Sequence, residues 1–225
     1  MTTDDAPPER DPEEPTAPSS ELARKVLADP RLKTYLDALL ELNTSINLTA
    51  VREPEAAWRA HALDSAALLE LDFSKPPRRA VDIGSGNGFP GIVVALAFPD
   101  CEVWLSERRR KKARAIGELA AKAGITNVRL FDRDVRELPH AEKALAGGAD
   151  LVTARAVARL DKLIELAAPL LSKRGRLICW KSRPLADDEL AEGRRAAKKV
   201  RLWIESTPYE VEALRPAQLL RVARK

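Results

Sequence analysis

Ala80-Val81-Asp82-Ile83-Gly84-Ser85-Gly86-Asn87-Gly88-Phe89-Pro90-Gly91 is the stretch on which the reading of the chain turns. Its first four residues predict a β-strand that ends on an acid, and the apolar run from Gly91 to Ala97 predicts a helix. Between them, residues 84–91 hold four of the ten glycines of the 225-residue chain. Glycine enters the left-handed backbone region freely and lets a ligand lie directly against main chain. The start of the following helix adds N–H groups with no partner inside the helix. A strand, a glycine loop and a helix in that order predict a small-molecule site at the carboxyl end of the first strand.

Working outward, the same rhythm repeats. Further strands are expected at Glu102 to Ser106, Val128 to Phe131, Leu151 to Ala154 and Arg176 to Trp180. Helices are expected from Arg109 to Ala123, near Arg136 to Leu145, from Leu160 to Leu171 with Pro169 marking a kink or early end, and from Asp187 to Lys199. The apolar stretch Val200 to Ile204 and the segment Gln218 to Ala223 read as a closing antiparallel pair. Alternating strands and helices imply an α/β, doubly wound sheet, mostly parallel with a C-terminal antiparallel strand. Upstream lie helical patterns only: a short helix capped by Ser19 or Ser20 through Leu27 and ended by Pro30, a second from Arg31 to about Asn43, and a third from Glu53-Pro54 to about Leu71. The expected organisation is a disordered tail over 1–20, a helical cap over 21–74 and one α/β domain over 75–225.

Composition narrows the function. The tail carries six acids against one base and five prolines, so residues 21–225 hold a net +9 within a whole-chain +4. Two basic runs, Arg108, Arg109, Arg110, Lys111, Lys112 and Arg114, then Arg194, Arg195, Lys198, Lys199 and Arg201, favour a polyanionic partner, most simply RNA or DNA. Nothing approaches the roughly 18 apolar residues of a membrane helix, and the acidic N-terminus resembles no secretory signal. Two separated cysteines, Cys101 and Cys179, point to a reducing, cytoplasmic compartment, and two histidines, His61 and His140, leave no basis for a metal site.

The glycine loop can be parsed twice. Gly86 to Gly91 matches the GxGxxG dinucleotide pattern, which alone is a weak signal. Counted from the strand, the loop is an acid followed by three alternating glycines, with Phe89 where a dinucleotide fold wants its third glycine. That second parse resembles motif I of class I methyltransferases, which use S-adenosyl-L-methionine. This cofactor has no phosphate, so Phe89 does no harm, and Asp82 suits its ammonium. Glu107, about 20 residues on, fits the ribose of either cofactor, and Asp134 follows the third strand where class I enzymes read adenine.

The remaining marks resemble one family, the bacterial small-subunit rRNA guanine-N7 methyltransferases also called glucose-inhibited division protein B. They are Asn47-Leu48-Thr49, His61-x-x-Asp64-Ser65, the loop through Gly91, the acid-then-basic run Glu107 to Lys112, Arg155-Ala156-Val157-Ala158 and the terminal Arg221 to Lys225, spread over roughly residues 32–225. One departure is Lys181-Ser182, where the family commonly has Lys-Gly. The resemblance implies a Rossmann-like class I fold, S-adenosyl-L-methionine, and methylation of a guanine N7 in 16S rRNA of the small subunit near the decoding centre; a monomer is expected. It implies cofactor contacts at Gly84, Phe89, Val135, Arg136 and Arg155, beside Ser85, Gly86, Gly88, Glu107 and Asp134 from the loop reading. RNA contacts are expected at Arg109, Arg110, Lys111 and Lys181.

Guanine N7 already has an in-plane lone pair, so no general base is needed. Catalysis is then expected from positioning, which can supply roughly 7–11 kcal/mol, with Arg155 orienting the substrate through O6 or phosphate. His61, Asp64 and Ser65 share one helix face and read as a hydrogen-bonded packing site. His140 reads as an exposed loop residue, Trp58, Trp104 and Trp203 as core or interface, and Trp180 as core. Two other readings remain: a non-catalytic RNA-binding or ribosome-assembly factor on the same scaffold, and a nicotinamide-dependent oxidoreductase. Calorimetry with each cofactor discriminates them.

Overall fold

A computed structural model describes residues 20–209 and 217–224. Apart from Ser20, the segment expected as a tail lies outside the described residues.

The first helix, α1 (Glu21–Leu27), starts where the Ser20 hydroxyl accepts the Ala23 N–H at 3.1 Å. Pro30 does not end it. Pro30 is the first residue of α2 (Pro30–Asn43), whose N-cap Asp29 accepts the Arg31 N–H at 2.9 Å, because proline lacks the N–H that a first turn leaves unused. The third helical pattern is built in pieces: α3 (Pro54–Ala57), a π-helical turn (Trp58–Leu63), α4 (Asp64–Ala66) and a 3-10 turn (Ala67–Glu70).

Seven strands follow with their helices: β1 (Arg79–Ile83), α5 (Gly91–Ala97), β2 (Glu102–Ser106), α6 (Arg110–Lys122), β3 (Val128–Phe131), α7 (Leu138–Ala141), β4 (Ala149–Arg155), α8 (Leu160–Ala167), β5 (Leu171–Ser182), α9 (Asp187–Lys199), β6 (Trp203–Tyr209) and β7 (Ala217–Ala223). They form one sheet in the order β3-β2-β1-β4-β5-β7-β6. The first five run parallel, and β7 pairs antiparallel with both β5 and β6. The doubly wound, mostly parallel sheet is therefore as expected.

Alternation along the strands feeds two cores. Ala80, Leu105, Leu151 and Ile178 face a cluster completed by Leu32, Tyr35, Leu39, Ile92 and Ile116. Val81, Val152, Leu177 and Leu220 face the other, with Leu160, Leu163 and Ala197. The N-terminal helices thus share a core with α5 and α6 on one face of the sheet.

Three boundaries depart from expectation. The α8 helix stops at Ala167, and Leu171 already begins β5; Pro169 has no N–H to continue the ladder, and its carbonyl accepts the Gly147 N–H at 2.8 Å. The helix expected over Arg136 to Leu145 is broken into a 3-10 turn, α7 and a second 3-10 turn, and exposed His140 lies on α7 rather than in a loop. β6 begins only at Trp203, since residues 200–202 close α9 with Arg201 at φ +58°. Trp203 is 56% exposed, which removes it from the core; Trp180 is buried.

Candidate active site

The strand order reverses at β1, with β2 on one side and β4 on the other, and this opens a crevice at the carboxyl ends of the strands. A cavity of about 480 Å3 occupies it. From the expected set it takes Gly84, Glu107, Asp134, Val135, Arg136 and Arg109. Arg108, Arg133, Ala156 and Val157 line it as well, and the sequence reading had not assigned them there.

Gly84 stands at φ +66°, and a Cβ on it would meet Val157 Cγ2 at 2.8 Å, so this position requires glycine. Ala156, on the opposite wall, holds φ +56° without being glycine; such strain is maintained where the surroundings impose it, commonly at ligand sites. Glu107 is nearly buried. Its two oxygens accept the Gly86 N–H at 3.2 Å and the Arg109 N–H at 2.8 Å, which fixes the carboxylate while each oxygen keeps a lone pair for a further donor. Asp134 accepts the Arg136 N–H at 3.0 Å and pairs with its guanidinium at 2.6 Å. These hydrogen bonds bring its carboxyl down to about 2, so it is ionised at any working pH.

The other expected residues lie outside that lining. Ser85 is buried and donates to the Asp82 carbonyl at 3.0 Å. Phe89 is buried between Tyr35 and His61, with ring centroids at 5.6 and 5.7 Å. A Cβ on Gly88 would fall 2.1 Å from the Tyr35 hydroxyl, so that glycine serves the packing of α2 onto the loop. Asp82 is interior too: Thr153 donates to it at 2.7 Å and Gly91 N–H at 3.4 Å, and burial raises its carboxyl to about 6.

Arg155 belongs to a second cluster, beside the cavity and beneath the helical cap. Its Nη1 donates to the Ala60 carbonyl and to Asp64 Oδ2, both at 2.7 Å. The π-turn makes this possible, because the Asp64 N–H reaches back to Arg59 and leaves the Ala60 carbonyl for the guanidinium. Asp64 also accepts the Tyr209 hydroxyl at 2.6 Å, and its carbonyl accepts the Trp180 indole N–H at 2.9 Å. Burial and the Asp64 charge hold the Tyr209 proton well above the ordinary tyrosine range.

His61 meets the Thr49 hydroxyl at 3.0 Å and the Asn87 side-chain amide at 3.2 Å, while the Asn87 carbonyl accepts the Tyr35 hydroxyl at 3.0 Å. Burial and the nearby Arg155 charge lower His61 to about 4, so it is neutral. On this helix face His61 and Asp64 are hydrogen-bonded as expected, whereas the buried Ser65 hydroxyl has no partner among the described residues. Tyr209 and Tyr35 had not been assigned to the site.

Of the expected RNA contacts, Arg109, Arg110 and Lys111 are exposed at the start of α6. Lys181 instead donates to the Ala158 carbonyl at 2.6 Å and pairs with Glu189 at 2.7 Å, with only 12% of its side chain exposed. Among the described residues no cluster of His, Cys, Asp or Glu is fit to hold a metal, and no helix is long and apolar enough to cross a membrane.

Residues 28–213 match the sequence profile of the family described as rRNA small subunit methyltransferase G. A ribosomal RNA small subunit methyltransferase G from Streptococcus pyogenes serotype M5 is 39% identical over 164 residues, 72% of this chain and 68% of that protein. One from Sorangium cellulosum is 40% identical over 163 residues, 72% of this chain and 67% of its own length. Among solved structures, the O-methyltransferase TomG of Streptomyces achromogenes, determined with SAM, superposes at TM-score 0.61 with 16% identity, over 92% of this chain and all of that one. A putative O-methyltransferase from Klebsiella pneumoniae gives 0.59 at 17% identity over the same shares. At such identities the structural likeness concerns the fold, a methyltransferase fold.

Proposed function

This chain belongs to the rRNA small subunit methyltransferase G family, and from that premise we propose that it methylates N7 of a guanine in 16S rRNA, at the guanine-527-type position. It acts as an S-adenosyl-L-methionine-dependent rRNA methyltransferase, with residues 21–74 as cap, residues 75–225 as catalytic domain, and the cytoplasm as its place of work.

The observation that carries the reading is the cavity at the strand switch point. The glycine loop, the fixed Glu107 carboxylate and the Asp134–Arg136 turn all open into it. Such a site fits a nucleoside cofactor: Glu107 offers acceptors for ribose hydroxyls, and Val135 and Val157, the latter seated against Gly84, offer apolar contact. When bound there, S-adenosyl-L-methionine supplies an electrophilic methyl group.

The chain's own residues hold and exclude. Glu107, Asp134 and Val135 would fix the nucleoside part. Four loop residues act one layer back: Gly88 and Phe89 hold the loop to α2 through Tyr35, while Ser85 ties it to Asp82 and Gly86 to Glu107. Arg155, clamped by Asp64, orients the rim of the substrate entry. Exposed Arg109, Arg110 and Lys111 would meet RNA phosphates, an interaction that weakens steeply with salt. No basic side chain stands ready to take a proton, since His61 is neutral and enclosed. A nucleophile with a free lone pair, as N7 has, requires none.

Mapping modified nucleosides in 16S rRNA by mass spectrometry, with and without the protein, tests this. One added methyl on one guanine is the expected result; unmodified RNA, or methylation of another base, would refute it.

A further inference from the structure

Opposite the candidate active site, at the amino end of the sheet, three concavities run into one another. The first, about 710 Å3, is lined by Lys75, Arg78, Arg174, Arg176 and Arg221 together with Asp72 and Asp150. Arg221 continues into a second, of about 110 Å3, which Trp203 and Arg224 also line. Trp203 and Arg224 then continue into a third, of about 940 Å3, bounded by Arg194, Lys198 and Arg201 and by no acid.

The register explains this continuity. Arg176 of β5 pairs with Ala223 of β7, and Ala223 pairs with Trp203 of β6, so one end of three adjacent strands carries the whole run. Gly84 and its cavity lie at the other end of β1. At roughly 3.3 Å per residue, the two ends are about 20 Å apart.

Most cations of this run are not ion-paired within the described residues. Lys75, Arg78, Arg174, Arg194, Lys198, Arg201 and Arg224 are exposed and have no ion-pair partner among the described residues. Three acids line the run as well: Asp150 accepts the Arg78 and Arg79 N–H groups at 2.9 and 3.3 Å, Asp72 accepts the Ser74 N–H at 2.7 Å, and Glu205 lies in the second concavity. Arg176 lies flat on the Phe73 ring at 4.0 Å and donates to the Asp72 carbonyl. Arg221 pairs with Glu205 at 3.0 Å and keeps its buried Nε without a partner. Midway along the run stands Trp203, 56% exposed on the edge strand. Exposed cations without an ion-pair partner among the described residues, in a continuous groove that also holds the partly exposed Trp203 ring, match the chemistry of a nucleic-acid strand, whose phosphates follow the charges while a base meets the ring's exposed part.

We propose that this groove is a second RNA-binding surface, which holds the phosphodiester backbone of an rRNA segment flanking the one presented to the active site. The proposal rests on the rRNA methyltransferase reading. It divides the work, with the amino end of the sheet supplying affinity and the carboxyl end supplying chemistry.

The test measures binding of the full chain to a 16S rRNA transcript by fluorescence anisotropy over a salt series, and measures methylation separately. The variant Arg78→Gln/Arg174→Gln/Arg224→Gln removes three exposed cations. Its Kd should rise tenfold or more, and its log–log salt slope should shrink by roughly 2–3. Arg194→Gln/Lys198→Gln should act in the same direction through different residues, and Trp203→Ala should weaken binding about fivefold with little change in slope. Thermal melting verifies that each variant is folded. Affinity within twofold of the wild type and an unchanged slope in both charge variants would overturn the proposal, and with methylation intact would leave the enzymatic reading standing. Groove-dependent RNA binding by a wild type that transfers no methyl group would uphold the surface and defeat the enzymatic reading. A wild type that binds no RNA would defeat both.

Discussion

The two halves of the sheet's carboxyl end are built on opposite principles. After β3 the polar pair is open to solvent, Arg136 and Asp134 having 74% and 30% of their side chains exposed, and it stands across the cavity from the buried Glu107. Beneath the cap, Arg155 and Asp64 pair at 14% and 13%, and Ala60, Tyr209 and Trp180 are hydrogen-bonded to that pair. The open half can exchange its water for a ligand at small cost, whereas the closed half cannot be entered without breaking bonds. The difference indicates a division of labour: the closed half fixes the cap to the sheet, and the open half binds.

The largest effect should come from breaking the closed half. Asp64→Ala removes the acceptor of both Arg155 and Tyr209 and leaves a buried cation, which costs about 3–5 kcal/mol in urea-induced unfolding. A loss below 1 kcal/mol would mean that the pair is solvated in solution. Removing the arginine instead, as Arg155→Ala, should cut methyl transfer at least tenfold with cofactor affinity little changed. Wild-type turnover and RNA affinity would deny it an orienting role.

Next in size is Gly84→Ala. Strain at φ +66° costs roughly 1–2 kcal/mol, and the new Cβ meets Val157 at 2.8 Å. Calorimetry should show S-adenosyl-L-methionine affinity reduced more than tenfold while the fold survives.

The closed half should also respond to acid. His61 has its folded value lowered to about 4, from an ordinary value of 6.5. Its contribution is therefore complete above pH 6.5 and is lost as pH falls toward 4, by up to about 3 kcal/mol. Asp82 acts in the opposite sense, because its value is raised to about 6: its contribution is complete below about 3.8 and declines as pH rises through 6. The difference between wild type and His61→Gln over pH 4–7 isolates the histidine, and parallel curves would contradict its neutral burial. The smallest effect is expected in the open half, where Asp134→Asn should leave the unfolding midpoint unchanged and weaken cofactor binding several-fold.

Local periodicity made the strands, α5, α9 and the glycine loop legible, because each is written in consecutive residues. The same is true of Glu107 and Asp134, which follow strands whose ends the pattern fixes. The closed cluster was not legible for a physical reason: Arg155 meets Asp64 across 91 residues and Tyr209 meets it across 145, and no local pattern encodes such pairs. The π-turn that frees the Ala60 carbonyl leaves no compositional mark either. Phe89 is expected at the cofactor from the family resemblance and Gly88 from the loop pattern; neither signal encodes that both also pack against Tyr35, and Phe89 against His61. Lys181 was read as free because Glu189, its partner, lies on a helix whose facing side depends on the whole fold.

A crystal structure of the chain grown with S-adenosyl-L-methionine puts the cavity at the strand switch point to the test. Density for the nucleoside is expected between Gly84 and Val135, with its ribose hydroxyls on Glu107 and its methyl facing the rim held by Arg155. The compound bound elsewhere, or a cavity that stays empty at saturating concentration, would contradict that placement.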